Sequence, residues 1–167
     1  MSAHSTRSFV RAMLIATSLG VVCSAQAPAP ASFDDNRVIG TWRLVVEKSR
    51  YNPGPPPQSQ VRIYEPQPKG LKTTIRTVLA DGETTSVSYT ANYDSVEYRV
   101  TGSPTTDGIK LTQLDPNTAE AKLMHAGRIV GTARPVVSPD GRTMTITLRD
   151  ARGSVQNVAF YEKQQGS

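Results

Sequence analysis

Residues able to perform nucleophilic, acid–base or metal chemistry are sparse in this chain. It has one cysteine, Cys23, and of its two histidines only His125 lies beyond the N-terminal segment. A catalytic triad needs a histidine held in a cleft beside a nucleophile, and zinc usually takes several histidine or cysteine ligands. His125 stands next to an Ala-Gly turn, where we expect a solvent-exposed side chain. Haem ligation by His125 stays open, but no motif supports it.

Two pairs of carboxylates are close in sequence, Asp94 with Glu97 and Asp81 with Glu83. Such a pair performs general acid–base catalysis when one member is buried and its pKa is raised. Asp81 lies in a turn and Asp94 lies beside one, which favours solvated acids. We therefore expect a protein that is not an enzyme and that needs no metal or cofactor.

The other chemistry available is that of binding. Trp42 is the only tryptophan, and if it faces the inside of a sheet then Leu44 does too, because alternate residues of a strand share a face. The same alternation predicts an apolar interior suited to a lipid-like or aromatic ligand. The predicted ligand contacts are Leu44, Ile63, Ile75, Val87, Tyr89, Tyr98, Leu111, Leu123, Ile146 and Phe160.

Two questions about this interior stay open at the level of sequence. A barrel of about eight strands is either filled by its own side chains or holds one small ligand, and the medium-sized aliphatic residues favour a cavity. Arg62, Arg76 and Arg99 also fall on predicted strands. Each either faces solvent or, in a cavity with polar groups, meets an anionic head group.

The elements that carry these residues are short strands separated by glycine turns such as Asp81-Gly82 and Asp140-Gly141. Glycine suits these turns because tight hairpins need positive φ. Between the turns, apolar residues alternate with period two, which indicates half-buried strands. Ten strands are predicted, at residues 38–46, 60–65, 71–79, 84–90, 96–101, 109–114, 119–124, 129–137, 143–149 and 155–162.

The fold class expected from this pattern is all-β. An up-and-down antiparallel meander of this length usually closes into a barrel, here of about eight to ten strands, because closure removes exposed edge strands. An open sandwich or a rolled sheet is the alternative.

The N-terminus is typical of a signal peptide, predicted at residues 1–27, with Arg7 and Arg11 before an apolar stretch at residues 12–22 that is too short to span a bilayer. Export to a secreted or periplasmic location follows, and the rest of the chain predicts no membrane span. Cys23 is either discarded with this peptide or lipidated as in a lipoprotein.

A leader at residues 28–37 precedes one domain at residues 38–163 and a tail at residues 164–167. The formal net charge is +5, but the basic residues are scattered, which does not favour nucleic-acid binding.

One long connection, residues 47–58, contains Tyr51 and three consecutive prolines, Pro55, Pro56 and Pro57. Consecutive prolines favour an extended polyproline path. The segment either lies over one mouth of the barrel or forms a strap on its outside. If this segment is a binding surface, the function it suggests is a different one, the binding of an envelope protein partner.

Two segments resemble the calycins, the group of lipocalins and fatty-acid-binding proteins. Residues 40–44 (GTWRL) are similar to the Gly-x-Trp signature of their first strand, and residues 158–163 (VAFYEK) to the last strand of fatty-acid-binding proteins. The resemblance implies that Trp42 plugs one end of the barrel and that Lys163 packs across it. Residues 93–104 and 131–134 are also similar to small secreted bacterial lipocalin-like proteins of uncertain role.

The resemblance implies a carrier or sensor that holds a small apolar or amphipathic ligand inside the barrel. The alternative is an interaction module whose barrel is filled by side chains. The chain departs from fatty-acid-binding proteins in having the proline segment in place of a helical pair between the first two strands. Their interior clamp of arginines and a tyrosine does not map onto this sequence, so fatty-acid specificity is not implied.

Overall fold

A computed structural model describes residues 36–165, which form eleven strands. The predicted signal peptide with Cys23, most of the leader and the end of the tail lie outside the described residues. The strands are β1 (Gly40–Leu44), β2 (Arg50–Tyr51), β3 (Ser59–Gln67), β4 (Gly70–Val78), β5 (Thr84–Ala91), β6 (Asp94–Arg99), β7 (Gly108–Asp115), β8 (Thr118–His125), β9 (Arg128–Val137), β10 (Thr143–Asp150) and β11 (Val155–Lys163).

These strands form one antiparallel sheet in the order β5-β4-β3-β1-β11-β10-β9-β8-β7-β6, with β2 paired to β11. Apart from the pairing of β1 with β11, the order is that of a meander. The two ends of the sheet, β5 and β6, approach each other at a single bridge between Ser88 and Thr101. The sheet is therefore a nearly closed barrel, which confirms the predicted all-β meander and is compatible with a calycin-like fold.

The predicted strand positions agree closely with the structure except near the N-terminus. The first strand is shorter than predicted, because the chain turns through a 3-10 segment, Val46–Lys48, directly after β1. It then returns to the sheet as β2, where Tyr51 lies opposite Asn157 and Arg50 opposite Val158 of β11. A strand of two residues leaves no alternation in the sequence, so the eleventh strand was not predicted.

None of the residues of the proline segment lines the cavity. Asn52 N donates to Gln156 O (2.7 Å) and Gln58 N to Val78 O (2.9 Å), which anchors the segment at both ends. Pro55 and Pro56 are exposed, while Pro57 is half-buried.

The turns follow the predicted chemistry. At the β4–β5 turn Gly82 has φ +90°, and the Asp81 carboxylate accepts a hydrogen bond from the Glu83 backbone N–H (2.9 Å). Asp81 therefore stabilises its own turn, as aspartate commonly does.

The core has two hydrophobic clusters inside the barrel. The first surrounds Trp42, which has no exposed surface, and includes Leu44, Met144 and Tyr161. The second contains Ala91, Val100, Ile109, Leu111 and Ala121. Tyr93 and Ala133 pack against both clusters.

Candidate functional site

A cavity of about 230 Å³ lies inside the barrel. Its wall is mainly aliphatic and aromatic, with a few polar groups. Six of the ten predicted ligand contacts line it: Ile75, Val87, Tyr89, Leu111, Leu123 and Ile146. The volume equals that of roughly eight water molecules at about 30 Å³ each. It therefore suits a ligand with on the order of ten non-hydrogen atoms, smaller than a drug-sized molecule.

Ile63 and Phe160 were predicted to face inward, and this prediction is wrong. Ile63 lies opposite Thr41 on the outer face of the sheet. Phe160 lies on the same face, where the Lys48 ammonium sits 5.0 Å from the centre of its ring. The reason is pairing with β1, because residues directly opposite in an antiparallel pair share a face. Trp42 points inward and lies opposite Arg62 and Lys163, so these two residues also lie on the inner face. Alternation along β3 and β11 then places Ile63 and Phe160 on the outer face.

Leu44 and Tyr98 also do not line the cavity. Leu44 is buried in the cluster around Trp42. Tyr98 packs against the second cluster, and its hydroxyl donates to the Asp94 carboxylate (2.7 Å) while accepting from the Asn92 amide (3.1 Å). This hydrogen bonding turns the tyrosine hydroxyl toward the surface residues at that end of β6.

Sixteen residues of the wall are absent from the ten predicted ligand contacts. They include Val38 before β1, the inward-facing residues Arg62, Tyr64, Leu71 and Thr73 of β3 and β4, Tyr93 between β5 and β6, and Val100 after β6. For β3, residues 60–65 offer two alternating sets, one with Val61 and Ile63 and one with Arg62 and Tyr64. The sequence favoured the aliphatic set as the inward-facing one. Because Trp42 points inward and lies opposite Arg62, the set with Arg62 and Tyr64 faces the interior instead.

Two charged residues, Arg62 and Glu120, line the cavity. A hydrogen-bond network holds Arg62 in place. Its Nε donates to Gln60 Oε1 (3.1 Å) and to Tyr161 Oη (3.1 Å). The Tyr161 hydroxyl donates to Gln60 Oε1, and Gln60 Nε2 donates to Thr77 Oγ1 (2.8 Å). The guanidinium carbon also lies 5.4 Å from the centre of the Tyr161 ring. These contacts fix the guanidinium group without neutralising it.

The charge of Arg62 is not matched by a carboxylate. Within the described residues, salt bridges join other pairs, and none involves Arg62. Burial disfavours its charged form, but the electrostatic influence of Tyr161, Tyr64 and Tyr89 raises its pKa above the usual arginine value. Arginine is in any case protonated at all pH values where proteins are folded. Arg62 is therefore a fixed, partly exposed cation in the wall of a largely apolar cavity. Pairing with an anion would stabilise a charge in such a place.

The other two candidate arginines, Arg76 and Arg99, are exposed on the outer face of the barrel. Of the three arginines considered in the sequence, only Arg62 lines the cavity. The structure thus separates one interior cation from two solvent-facing ones.

Another polar group in the wall is the hydroxyl of Thr73. Thr73 has no exposed surface, and its Oγ1 makes no hydrogen bond of standard geometry with the described residues. Tyr89 lies opposite it on β5. The hydroxyls of Thr73 and Tyr89 interact with each other. The pair forms a polar spot in the wall, beside which a polar atom of a ligand would be favoured.

Four buried or half-buried tyrosines should make the protein sensitive to alkaline pH. Burial raises the pKa of Tyr51, Tyr64 and Tyr93 to about 12, and it also raises the pKa of Tyr89. Unfolded tyrosines ionise near pH 10. Between about pH 10 and about pH 12 the folded protein holds more protons than the unfolded chain, so the free energy of unfolding falls as pH rises. The fall is at most about 1.4 kcal/mol per pH unit for each tyrosine, and less for the half-buried Tyr51.

Urea denaturation at several alkaline pH values, with tyrosinate absorbance of the folded protein, measures this effect. Stability should be insensitive to these groups below about pH 10. Titration of all six tyrosines near pH 10 in the folded protein would contradict the burial described above.

One end of the barrel is closed by Trp42 and the chain before β1. The Trp42 indole Nε1 donates to Val38 O (2.6 Å). The Lys163 Nζ lies 5.2 Å from the centre of the Trp42 ring and donates to Arg37 O (3.2 Å). Partial burial lowers the pKa of Lys163. Trp42 and Lys163 therefore lie together, in the arrangement that the calycin resemblance implies.

The residues considered for acid–base chemistry lie at the surface. His125 and Asp107 form an exposed pair with 3.6 Å between Nδ1 and Oδ2. Glu97 pairs with Lys110 (3.5 Å). The hydrogen bond from Tyr98 lowers the pKa of Asp94, the opposite of what a general acid needs.

Residues 36–165 contain no group of three or more His, Cys, Asp or Glu side chains placed to hold a metal ion. They also contain no helix long and apolar enough to cross a membrane.

The comparisons with known proteins give no family. No protein-family model matches the chain, and no curated protein matches it.

Proposed function

We propose that this is an exported lipocalin-like protein that carries or senses a small acidic amphipathic molecule inside its barrel, without catalysis. The acid group of the ligand pairs with Arg62, and its apolar body fills the space lined by residues such as Ile75, Leu111 and Ile146. The observation that carries the proposal is a protonated, hydrogen-bonded arginine that no carboxylate of the described residues neutralises, facing a cavity with an otherwise mainly apolar wall.

The chemistry of the cavity favours an anion over a neutral ligand. The planar guanidinium of arginine presents five N–H donors, and two of them can donate parallel hydrogen bonds to the two oxygens of one carboxylate. Nε of Arg62 donates to Gln60 and Tyr161, and the Tyr64 hydroxyl is a further hydrogen-bond partner of the guanidinium. A ligand carboxylate would bind the guanidinium beside these three partners. The buried Thr73 hydroxyl adds a further polar contact.

The alternative proposal is an interaction module that binds an envelope protein through Tyr51, Pro55, Pro56 and Pro57. Exposure of Pro55 and Pro56 favours it. Tyr51 is half-buried against the core and is not free to form such a surface. This alternative also assumed a filled barrel, which the cavity of about 230 Å³ disfavours.

Native mass spectrometry of the protein, exported to a bacterial periplasm and purified without detergent, tests the proposal. An added mass that is lost on denaturation and identified as an organic acid would support it. The same mass should be retained by Arg76→Gln, whose side chain is exposed, and reduced in Arg62→Gln. A bare chain mass, together with no binding of octanoate in solution, would contradict the proposal.

A further inference from the structure

The barrel has one weak line in its wall, between β5 and the chain around β6. Among the described residues, the hydrogen bonds across this seam are confined to Ser88 and Thr101. Ser88 N donates to Thr101 O and Thr101 N to Ser88 O, both at 2.9 Å, and the two side-chain hydroxyls are 2.9 Å apart. On its other side β5 pairs with β4 along its whole length, from Leu71 opposite Ala91 to Val78 opposite Thr84. The seam is therefore the wall segment that opens with the fewest broken hydrogen bonds.

Close backbone packing at one glycine brings the two sides of the seam together. Gly102 has φ +82°, and a Cβ built on it would lie 1.9 Å from the Ser86 carbonyl oxygen. Only a residue without a side chain permits this approach. A side chain at position 102 would push residues 100–107 away from β5.

The cavity lies directly behind the seam. Val87 and Tyr89 line it from β5, and Val100, Ser103 and Thr106 line it from the segment that follows β6. Ser88 and Thr101 alternate with these inward residues and lie on the outer face. Separation of Ser88 from Thr101 would thus expose the cavity without disturbing the residues that contact a ligand.

We propose that the ligand enters and leaves the barrel through this seam, by local separation of residues 100–107 from β5. The proposal rests on the proposed function, since it assigns a route to the ligand of the same cavity. Local openings of this kind are drawn from the parts of a fold with the fewest cooperative hydrogen bonds. Elsewhere along the strands, opening the wall requires separation of a continuous ladder, such as that of β10 with β11.

A reversible disulfide across the seam tests the route. Ser88→Cys with Thr101→Cys, in a Cys23→Ser background, places two cysteines at a mutually hydrogen-bonded pair. The Cα separation of such a pair, about 5.5 Å, is compatible with a disulfide. The matched control is Thr147→Cys with Val158→Cys, an outward-facing opposite pair in the continuous β10–β11 ladder. NMR exchange of isotope-labelled octanoate gives the association and dissociation rates and the affinity for each protein, oxidised and reduced.

Oxidation of the seam disulfide should slow both rates by about tenfold or more while leaving Kd unchanged, because a gate alters the route and not the bound state. Reduction should restore the rates, and oxidation of the control should leave them unchanged. Gly102→Ala should act in the opposite direction and speed exchange. Rates that are the same in the oxidised and reduced seam variant, with octanoate bound, would overturn the seam route alone. Absence of octanoate binding to every variant would instead overturn the proposed function and the route with it.

Hydrogen exchange gives a readout that needs no ligand. The amides of Ser88 and Thr101 should exchange through local opening, faster than the amides of the β10–β11 ladder, and the oxidised seam disulfide should protect them. Exchange of both amides only through global unfolding would overturn the proposal.

Discussion

Replacement of Trp42 by alanine should lower the free energy of unfolding by about 3–5 kcal/mol, the usual cost of removing a buried tryptophan. Trp42 has no exposed surface, and its indole N–H satisfies the Val38 carbonyl. The substitution therefore leaves a large void, an unpaired buried carbonyl and a lysine without the ring beneath it. Since domains of this size are stable by about 5–15 kcal/mol, the loss is a large part of the total.

Urea denaturation followed by circular dichroism measures the effect. Arg43→Ala is the matched control, since Arg43 is the exposed neighbour of Trp42 in β1, and its cost should be within about 0.5 kcal/mol. Trp42→Phe should fall between the two. A loss below about 1 kcal/mol for Trp42→Ala would contradict the role of Trp42 as the plug of this end of the barrel.

The second large effect concerns binding. Arg62→Gln should weaken binding of octanoate by about 30- to 150-fold, because a hydrogen bond to a charged partner contributes about 2–3 kcal/mol. Glutamine keeps a polar side chain on β3 but has no charge. The fold should survive, since relief of an unpaired cation offsets the lost hydrogen bonds to Gln60 and Tyr161.

Arg76→Gln is the control for this substitution. Arg76 lies on β4, opposite Val61, and is exposed on the outer face. It carries the same charge, so a general electrostatic attraction between protein and ligand would be weakened equally by both substitutions. Equal losses of affinity in Arg62→Gln and Arg76→Gln would show that Arg62 does not contact the ligand.

The strand positions could be predicted because they depend on local chemistry. Turns such as Asp81-Gly82 set the ends of the strands, and runs such as Leu71, Thr73 and Ile75 keep one face toward the core. The two-residue strand β2 could not be predicted, because its pairing with β11 depends on the path of the chain after the 3-10 turn at Val46–Lys48.

The faces of β3 and β11 could not be predicted from each strand alone. Lys163 over Trp42 and Phe160 inside the barrel are incompatible, because residues 160 and 163 lie on opposite faces of a regular strand. The contact between Lys163 and Trp42 is present, so Ala159 and Tyr161 point inward and Phe160 points outward. Pairing with β1 fixes these directions, and it becomes visible only when the strands are placed side by side.

The same pairing explains why the most informative residue of the cavity was not singled out. In β3 the charged Arg62 lies between Val61 and Ile63, and hydrophobicity favoured the two aliphatic residues as the inner set. Arg62 lies opposite Trp42, and the hydroxyl of Tyr161 and the amide of Gln60 accept its hydrogen bonds. Trp42 lies on β1 and Tyr161 on β11, both outside the strand that carries Arg62. No local signal in the sequence therefore marks the site.

The measurement that tests the central claim most directly is calorimetric titration of the protein with octanoate, octanol and octylammonium. The three share one apolar chain and differ in the charge of the head group. Octanoate should bind at one site and most tightly, octanol about tenfold or more weakly, and octylammonium weakest, because only the carboxylate pairs with the Arg62 cation. Equal affinities for the three, or tighter binding of octylammonium, would contradict the account.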